Sequence, residues 1–558
     1  MSSIKIKLLL CALGSSSLFS GSVEKHAYIQ TLEAENSISY VKIINTRTAY
    51  ITPMCYTKTS DRLETKVFNS CYPCHTKGKI PNYINDSHLQ EAYNFPRQAM
   101  RNPYTNLFKD KRREVGRMRD RSILDYIRRS NYFTSKGEIV LSQKLPDTWK
   151  GYRPDCYFNF DEEGFDKDKE GAYTGWRAFR YYPFLGTFWP TNGSTDDVLI
   201  RLDTPFMQDE NGTFNKEVYR VNLAIVEALV KQKVIPFDLI VDEKFYGVDI
   251  NGNGIVDRAN TISPKIKSYV GLAKLFFNEK KVHLAPGLFP ENTEFLHSVR
   301  YLDWDEKQDK IALSARMKEL RYAKKTTWKS YGQIQRAAES ELWESLALDS
   351  SKAKIALFRG NYEEGLGNGI AWVYQGFIED KEGELRPQTH EETLSCMGCH
   401  SHLGATTDST FAFARKFEGV DKDQHDYGWN HWGQKGLDGM KEPLVEYLNY
   451  GKQYEYSFYL QNNHSGNEFR NNDEVKEMFF DSNGSIKEPM IDRLHDDISL
   501  LLFPSKKRAL KLNKAYKVIV EEQSYIYGKE SNIKAMDTVY KEIKEGQLTE
   551  LKKSIVRP

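Results

Sequence analysis

Cys71-Tyr-Pro-Cys74-His75 recurs later in the chain as Cys396-Met-Gly-Cys399-His400, with the same spacing of two cysteines and a histidine. Two thiols three positions apart lie on one helical turn, where they can add across the two vinyl groups of a single porphyrin. The histidine that follows then faces the iron and supplies its proximal nitrogen. The repeated pattern predicts two covalently bound haem c groups, with His75 and His400 as proximal iron ligands.

Two other interpretations of the cysteine pairs remain open. The four thiols suit a structural zinc site, and Cys-x-x-Cys on its own is also the pattern of a redox dithiol. Neither interpretation gives a role to the histidine that follows each pair. Both fit an intracellular protein better than an exported one.

The N-terminus is typical of a secretory signal. Lys5 and Lys7 precede a short apolar run, and a stretch of small residues over 15–22 follows it. The pattern predicts a signal peptide over 1–22 and a periplasmic or otherwise exported protein, which agrees with covalent haem attachment. A lipid anchor on Cys11 is the alternative, but the bulky Leu10 before it is unfavourable.

Composition bounds the class of protein and its partners. The 558 residues include 79 Lys and Arg against 77 Asp and Glu, and loss of Lys5 and Lys7 with the signal leaves 77 against 77. A neutral chain argues against nucleic acid as a partner. No later segment reads as a transmembrane span, and the mean hydropathy is −0.62. We expect a redox partner protein or a small-molecule donor or acceptor.

Cysteine arithmetic predicts one disulfide. Seven cysteines, less Cys11 in the signal and four on haem, leave Cys55 and Cys156. A remaining pair in an oxidising compartment is expected to be bonded. Two separate buried thiols are the alternative, because sequence does not give the distance between them.

The fold is predicted to be mainly α, with cytochrome c-like haem regions and a loop-rich α+β insert. The expected divisions are a first haem region over 23–143, the insert over 144–304, and a helical region over 305–558 that carries the second haem. Residues 217–232 read as a helix, and 198–202 and 234–241 as strands. Residues 305–325 and 328–347 read as a helical pair, and 536–555 as a terminal helix.

The insert contains a segment typical of a calcium loop. Oxygen-bearing side chains occupy positions 1, 3, 5 and 9, with glycine at position 6 and an apolar residue at position 8. Position 12 is Asn260 and not the bidentate glutamate of an EF-hand, so weak binding is expected. An Asn/Gly turn without metal is the alternative. The predicted calcium residues are Asp249, Asn251, Asn253, Ile255 and Asp257.

The second axial ligand of each iron decides what a haem can do, and sequence gives only candidates. For the first haem, Met100 is favoured, with Met118 and His88 as alternatives. For the second haem, the candidates are Met490 and Met440, then Met478, His425 and His431. His390 and His402 are too near His400 in sequence to reach the opposite face of the same ring.

The charges near the two motifs differ in sign. Residues 97–129 contain eleven Lys and Arg against four Asp and Glu, whereas 390–426 contain three against seven. A solvated helix face is the plain interpretation of the basic stretch. Unequal surroundings also predict unequal reduction potentials for the two haems.

These motifs resemble those of di-haem c-type cytochromes. The overall likeness is to large bacterial di-haem cytochrome c proteins, with a more distant similarity to the di-haem cytochrome c peroxidases and oxygenases. The separation of 325 residues between Cys71 and Cys396 exceeds that of the peroxidases, so none of their catalytic residues is carried over. The resemblance implies an exported electron-transfer protein. A di-haem oxidoreductase and a non-catalytic haem-based binding or sensing module are the alternatives.

Overall fold

The structure is a computed structural model, and it describes residues 51–61, 66–186, 190–346, 358–418, 427–465 and 472–558. The predicted signal peptide and Cys11 lie outside the described residues, as does His425.

Thirteen strands form one large sheet and two small hairpins in the described part of the chain. The strands are β1 Phe165–Lys167, β2 Tyr173–Ala178, β3 Leu199–Arg201, β4 Ile235–Asp242, β5 Arg258–Ile262, β6 Glu294–Asp305, β7 Lys310–Lys325, β8 Gly360–Asn361, β9 Gly365–Gly367, β10 Trp372–Glu379, β11 Leu385–Pro387, β12 Leu444–Tyr447 and β13 Gly451–Tyr454. The nine-stranded sheet has the order β1-β2-β3-β6-β7-β10-β9-β8, and β11 also pairs with β10. All of these pairings are antiparallel.

The prediction of a mainly α fold is wrong, because this sheet is the centre of the molecule. The clearest error is β7, which was expected to be helical. Its Ala, Lys, Glu and Arg residues favour a helix, but pairing with β6 on one side and β10 on the other overrides that preference. The pairing buries Met317 and Leu320 completely. The sheet also runs across the expected division at residue 304, since β6 and β7 form one hairpin.

Helices surround the sheet. They are α1 Arg112–Arg117, α2 Asp120–Ile127, α3 Val140–Lys144, α4 Lys216–Lys231, α5 Glu243–Tyr246, α6 Leu272–Asn278, α7 Tyr331–Leu346, α8 His390–Leu394, α9 Met397–His400, α10 Glu455–Asn463, α11 Asp473–Phe479, α12 Glu488–Asp496, α13 Ser499–Leu502 and α14 Lys506–Glu522. Short 3₁₀ turns include Pro53–Tyr56 and Ser87–Gln90.

The helix α4 belongs to the largest hydrophobic core, and its prediction is confirmed. Asn215 caps its start by accepting hydrogen bonds from the backbone N–H groups of Glu217 and Val218. Gln232 ends it in the left-handed conformation. The helix is buried along most of its length, and it shares the core with β3, β10 and Met397 of the second motif. The second motif is therefore built on the main core.

The C-terminal segment does not form the helix expected over 536–555. It runs as irregular chain with isolated bridges to the segment that carries the first motif, through the pairs Thr57 with Val539, Ala92 with Leu548 and Arg101 with Glu542. Tyr56, Tyr93 and Tyr104 pack with Val539 and Ile543 in a small core of their own. The start and the end of the described chain are thereby joined.

Among the residues that the structure describes, no helix is both long and apolar enough to span a membrane.

Candidate functional site

The two Cys-x-x-Cys-His segments line one cavity. Its volume is about 460 Å³, and its walls are mostly apolar. That volume lies within the range of about 300–1,000 Å³ typical of pockets that hold organic ligands. The lining residues include Cys71, Cys74, His75, Cys396, Cys399 and His400. Residues 325 positions apart in the sequence are thus brought to the same site.

The first segment is a single turn that is held in place by hydrogen bonds with side-chain amides. The backbone N–H of His75 donates to the carbonyl of Cys71 at 2.9 Å, which places both on one turn. Asn69 Oδ1 accepts from the N–H groups of Cys71 and Tyr72. Gln90 Nε2 donates to the carbonyls of His75 and Ile555, at 2.6 and 2.7 Å. The C-terminal segment therefore supports the first motif.

The second segment follows a capped helix. Thr389 and Glu392 form a capping box at the start of α8, in which each side chain binds the other residue's backbone N–H. Arg386 holds Glu392 through two bonds of 2.8 and 2.9 Å, and both side chains are fully buried. The N–H of His400 then donates to the carbonyl of Cys396 at 3.0 Å.

The stretches of chain that follow the two motifs contact each other. Asn82 Nδ2 donates to the carbonyls of Leu403 and Thr406, just beyond the second motif. A side chain at Gly404 would place its Cβ 2.3 Å from the carbonyl oxygen of Thr76, so this approach requires glycine.

The two histidines have different hydrogen-bond partners. His75 Nδ1 lies 2.9 Å from Asp86 Oδ2. Burial alone lowers the pKa of His75, but the hydrogen bonds to Asp86 and Cys55 outweigh it and raise the pKa to about 10. His400 Nδ1 lies 3.1 Å from the backbone carbonyl oxygen of Ser409, and burial lowers the pKa of His400 to about 4. In both rings Nδ1 is engaged, which leaves Nε2 as the nitrogen for a ligand.

Other polar groups line the same cavity. Arg321 and His297 lie directly opposite each other on β7 and β6, so their side chains share one face of the sheet. Arg321 is paired with Glu319 at 3.0 Å. Burial raises the pKa of Asp196, another lining residue, to about 7.

The predicted disulfide between Cys55 and Cys156 is wrong, since neither cysteine is in a disulfide. Cys156 is buried in a core with Tyr132, Trp176 and Leu199. Cys55 lines the cavity instead. Counting the remaining cysteines carried no information about distance, and the two thiols belong to different parts of the fold.

The methionines proposed as second iron ligands do not line the cavity. Met100 follows the 3₁₀ turn Arg97–Ala99, and its carbonyl accepts from the N–H of Ile543. Met440 is buried in a separate core, and Met490 packs at the edge of that core. His431 is paired with Asp197 at 2.9 Å and so is also engaged elsewhere.

The calcium-type loop is folded around its own side chains. Asp249 accepts from the N–H groups of Gly252, Asn253 and Gly254, at 2.8–3.2 Å. Asn251 and Asn253 each accept from the N–H two residues ahead. Glu243, which sequence reasoning missed, is buried beneath the loop and accepts from the N–H groups of Ile250, Asn251 and Asp257. Ile255 is exposed.

In the described parts of the chain, no group of three or more His, Cys, Asp and Glu side chains is placed to hold a metal ion. The four motif thiols therefore do not converge on a zinc site.

Comparison with known proteins decides the family. The model of a lipoprotein family matches residues 143–496, more than half of the chain. A protein of Aquifex aeolicus (strain VF5), named as an uncharacterized lipoprotein, is 30% identical over 525 residues, which are 85% of this chain and 84% of that protein. The chain belongs to this lipoprotein family. No solved structure matches it.

Membership of this family corrects the identification made from the motifs. The lipoprotein is not a member of the di-haem cytochromes, and electron transfer, predicted from that likeness, is wrong as its function. The two alternatives drawn from the same likeness, a di-haem oxidoreductase and a haem-based sensing module, are withdrawn with it. Five residues at each motif were too short a match to define a family. The lipoprotein family does agree with the predicted export of the chain.

The region matched by the family model contains the whole sheet and the second motif, whereas the first motif precedes it. Sequence reasoning missed Cys55, His297 and Arg321 as members of the cavity. In the sequence, one feature points to Cys55. It lies near the first motif and is not among the four cysteines assigned to haem attachment.

Proposed function

We propose that this lipoprotein carries two haem groups in its central cavity, each attached through the two thiols of one Cys-x-x-Cys-His segment. In each attachment an S–H adds across a vinyl C=C bond, so that one C–S bond forms and the hydrogen goes to the other vinyl carbon. No oxidant is needed. The observation that carries the proposal is that the two cysteines and the histidine of both segments line one mostly apolar cavity.

The residues around the cavity fit such a group. Each segment offers two thiols on one turn and a histidine whose Nδ1 is already bonded, which fixes the ring and leaves Nε2 for the iron. Aromatic side chains pack against the second histidine, with the ring centres of Tyr374 and His400 4.8 Å apart. Arg321 and Lys529 supply positive charge in the same lining for propionate groups.

Haem content tests the proposal. We expect protein produced in a host with c-type haem maturation to keep two haems per chain after denaturation, measured as the pyridine haemochrome. The double variants Cys71→Ala/Cys74→Ala and Cys396→Ala/Cys399→Ala should each keep one. The matched control Cys156→Ala, which removes a thiol outside the cavity, should keep two. Denatured wild-type protein without haem would contradict the proposal.

We propose a periplasmic location with a lipid anchor on Cys11. Cys11 is the one cysteine before residue 55, and the family is one of lipoproteins. One acyl-bearing cysteine at the start of the mature chain would hold the protein at the membrane surface. Cys11→Ser should move the protein from the membrane fraction to the soluble periplasmic fraction. Cleavage after Ser22 instead would give soluble wild-type protein with Val23 at its N-terminus.

We also propose that the loop around Asp249 binds a calcium ion. Alternating Asp and Asn side chains, each held by loop N–H groups, present oxygen atoms of the kind that calcium prefers. Millimolar calcium should raise the melting temperature of the wild type. Asp249→Asn/Asp257→Asn should abolish that rise, and Asp209→Asn, in an exposed turn elsewhere, should not. A wild-type melting temperature insensitive to calcium and chelator would contradict this assignment.

A further inference from the structure

Cys55 is placed by a well-anchored turn. The 3₁₀ turn Pro53–Tyr56 brings it to the cavity wall, and Tyr56 behind it is fully buried and donates to the carbonyl of Ala99 at 2.6 Å. Apart from the four motif cysteines, Cys55 is the one thiol in the cavity lining of the described chain. Its sulfur lies 3.4 Å from Thr52 Oγ1 and beside the imidazole of His75.

The orientation of His75 directs that contact. Its Nδ1 is bonded to Asp86, so the nitrogen on the cavity side is Nε2, which is also the nitrogen for iron. The His75 ring therefore contacts the carboxylate of Asp86 through Nδ1 and also contacts the thiol of Cys55.

His297 has the corresponding position near the second segment. It lies in the middle of β6, on the rigid sheet, and its Nδ1 is 2.7 Å from the carbonyl oxygen of Asp197. That bond fixes the proton on Nδ1 and leaves Nε2 as a free lone pair. Apart from His75 and His400, His297 is the one histidine in the cavity lining of the described chain. It is close enough to His400 to affect its electrostatics.

From these placements we infer that the two haem irons have different second axial ligands, the sulfur of Cys55 on the haem of the first segment and Nε2 of His297 on the haem of the second. This inference rests on the proposed function, because it requires a haem at each segment. Cys55 binds ferric iron as a thiolate and releases its proton to solvent, whereas His297 binds as neutral imidazole, so neither ligation changes an oxidation state.

The test uses the two single-haem proteins, Cys396→Ala/Cys399→Ala for the first haem and Cys71→Ala/Cys74→Ala for the second. Electron paramagnetic resonance and absorption spectra of the ferric forms should show thiolate–imidazole low-spin haem in the former and bis-imidazole low-spin haem in the latter. Cys55→Ala should remove the thiolate signal completely, and His297→Ala should convert the second haem completely to high spin. Haem content should not change in either variant.

Matched controls separate ligation from folding. Cys156→Ala removes a buried thiol outside the cavity, and His402→Ala removes a buried histidine that does not line it. Both should keep the parental spectra. If Cys55→Ala does not accumulate, Cys55→Met should give a thioether-ligated spectrum in its place.

The outcomes are distinct. A first-haem spectrum unchanged by Cys55→Ala or Cys55→Met, or changed only by Met54→Ala, overturns the assignment of Cys55. A second haem that stays low spin in His297→Ala overturns the assignment of His297. Wild-type protein without covalent haem overturns the proposed function itself, and the pyridine haemochrome detects that separately from any spectrum.

Discussion

The two Cys-x-x-Cys-His segments share a pattern but differ in what supports them. The first is a turn in irregular chain, held by Asn69, Gln90 and the C-terminal segment. The second follows a capped helix and packs into the main core through Leu394 and Met397. A five-residue motif therefore fixes only its own turn, and the surrounding fold decides its electrostatics.

The contrast is clearest at the two histidines. A carboxylate partner and a nearby thiol raise the pKa of His75 to about 10, although burial opposes the rise. Burial beside a backbone carbonyl lowers the pKa of His400 to about 4. Two rings of the same type, facing one cavity, thus differ in the charge that they favour.

The largest effect is expected at the support of the second segment. Arg386→Ala leaves the carboxylate of Glu392 buried without its guanidinium partner, and breaking such a buried pair costs about 3–5 kcal/mol. Chemical denaturation should show a loss of that size in the free energy of unfolding. Arg112→Ala, which removes an exposed pair with Asp110, should change the free energy of unfolding far less, because water screens that pair. Equal losses in the two variants would contradict the role given to Arg386.

A smaller loss is expected at the support of the first segment. Gln90→Ala removes the bonds to the carbonyls of His75 and Ile555 and leaves both carbonyls without that donor. A neutral hydrogen bond of this kind contributes about 0.5–1.5 kcal/mol net, so the loss of the two should cost about 1–3 kcal/mol. Hydrogen exchange should show faster opening of the C-terminal segment, with the protection of β6 and β7 unchanged. Faster exchange in the sheet alone would contradict the claim that Gln90 supports the C-terminal segment and the first motif.

The smallest effect is expected on the reduction potential of the proposed first haem. Asp86→Asn replaces the carboxylate behind His75 with a neutral amide, which makes His75 a weaker donor and disfavours ferric iron. A difference of about 1.4 kcal/mol between oxidation states corresponds to about 59 mV for one electron. Redox titration should show that Asp86→Asn raises the reduction potential of the first haem by about that amount. The second haem serves as the internal control, and a shift of both or of neither would contradict this role of Asp86.

Local signals in the sequence predicted several elements correctly. The apolar periodicity of α4 and the short apolar run of β3 survive in the structure because both segments are buried. The run over 234–241 also forms a strand, β4.

Non-local contacts account for the errors. Residues 310–325 have a helix-forming composition, and only pairing with β6 and β10 makes them a strand. The C-terminal segment is held by residues more than 400 positions earlier, which no local window contains. The meeting of the two motifs, and of Cys55 with His75, depends on the same long-range topology. Pairing Cys55 with Cys156 by elimination failed for this reason.

The mass of the intact, denatured lipoprotein tests the central claim most directly. Mass spectrometry of protein matured in a host with c-type haem attachment should give the polypeptide mass plus two haems, and plus one haem in either double-cysteine variant. The polypeptide mass alone, with all four motif thiols open to alkylation, would contradict the claim that the cavity carries covalently bound haem.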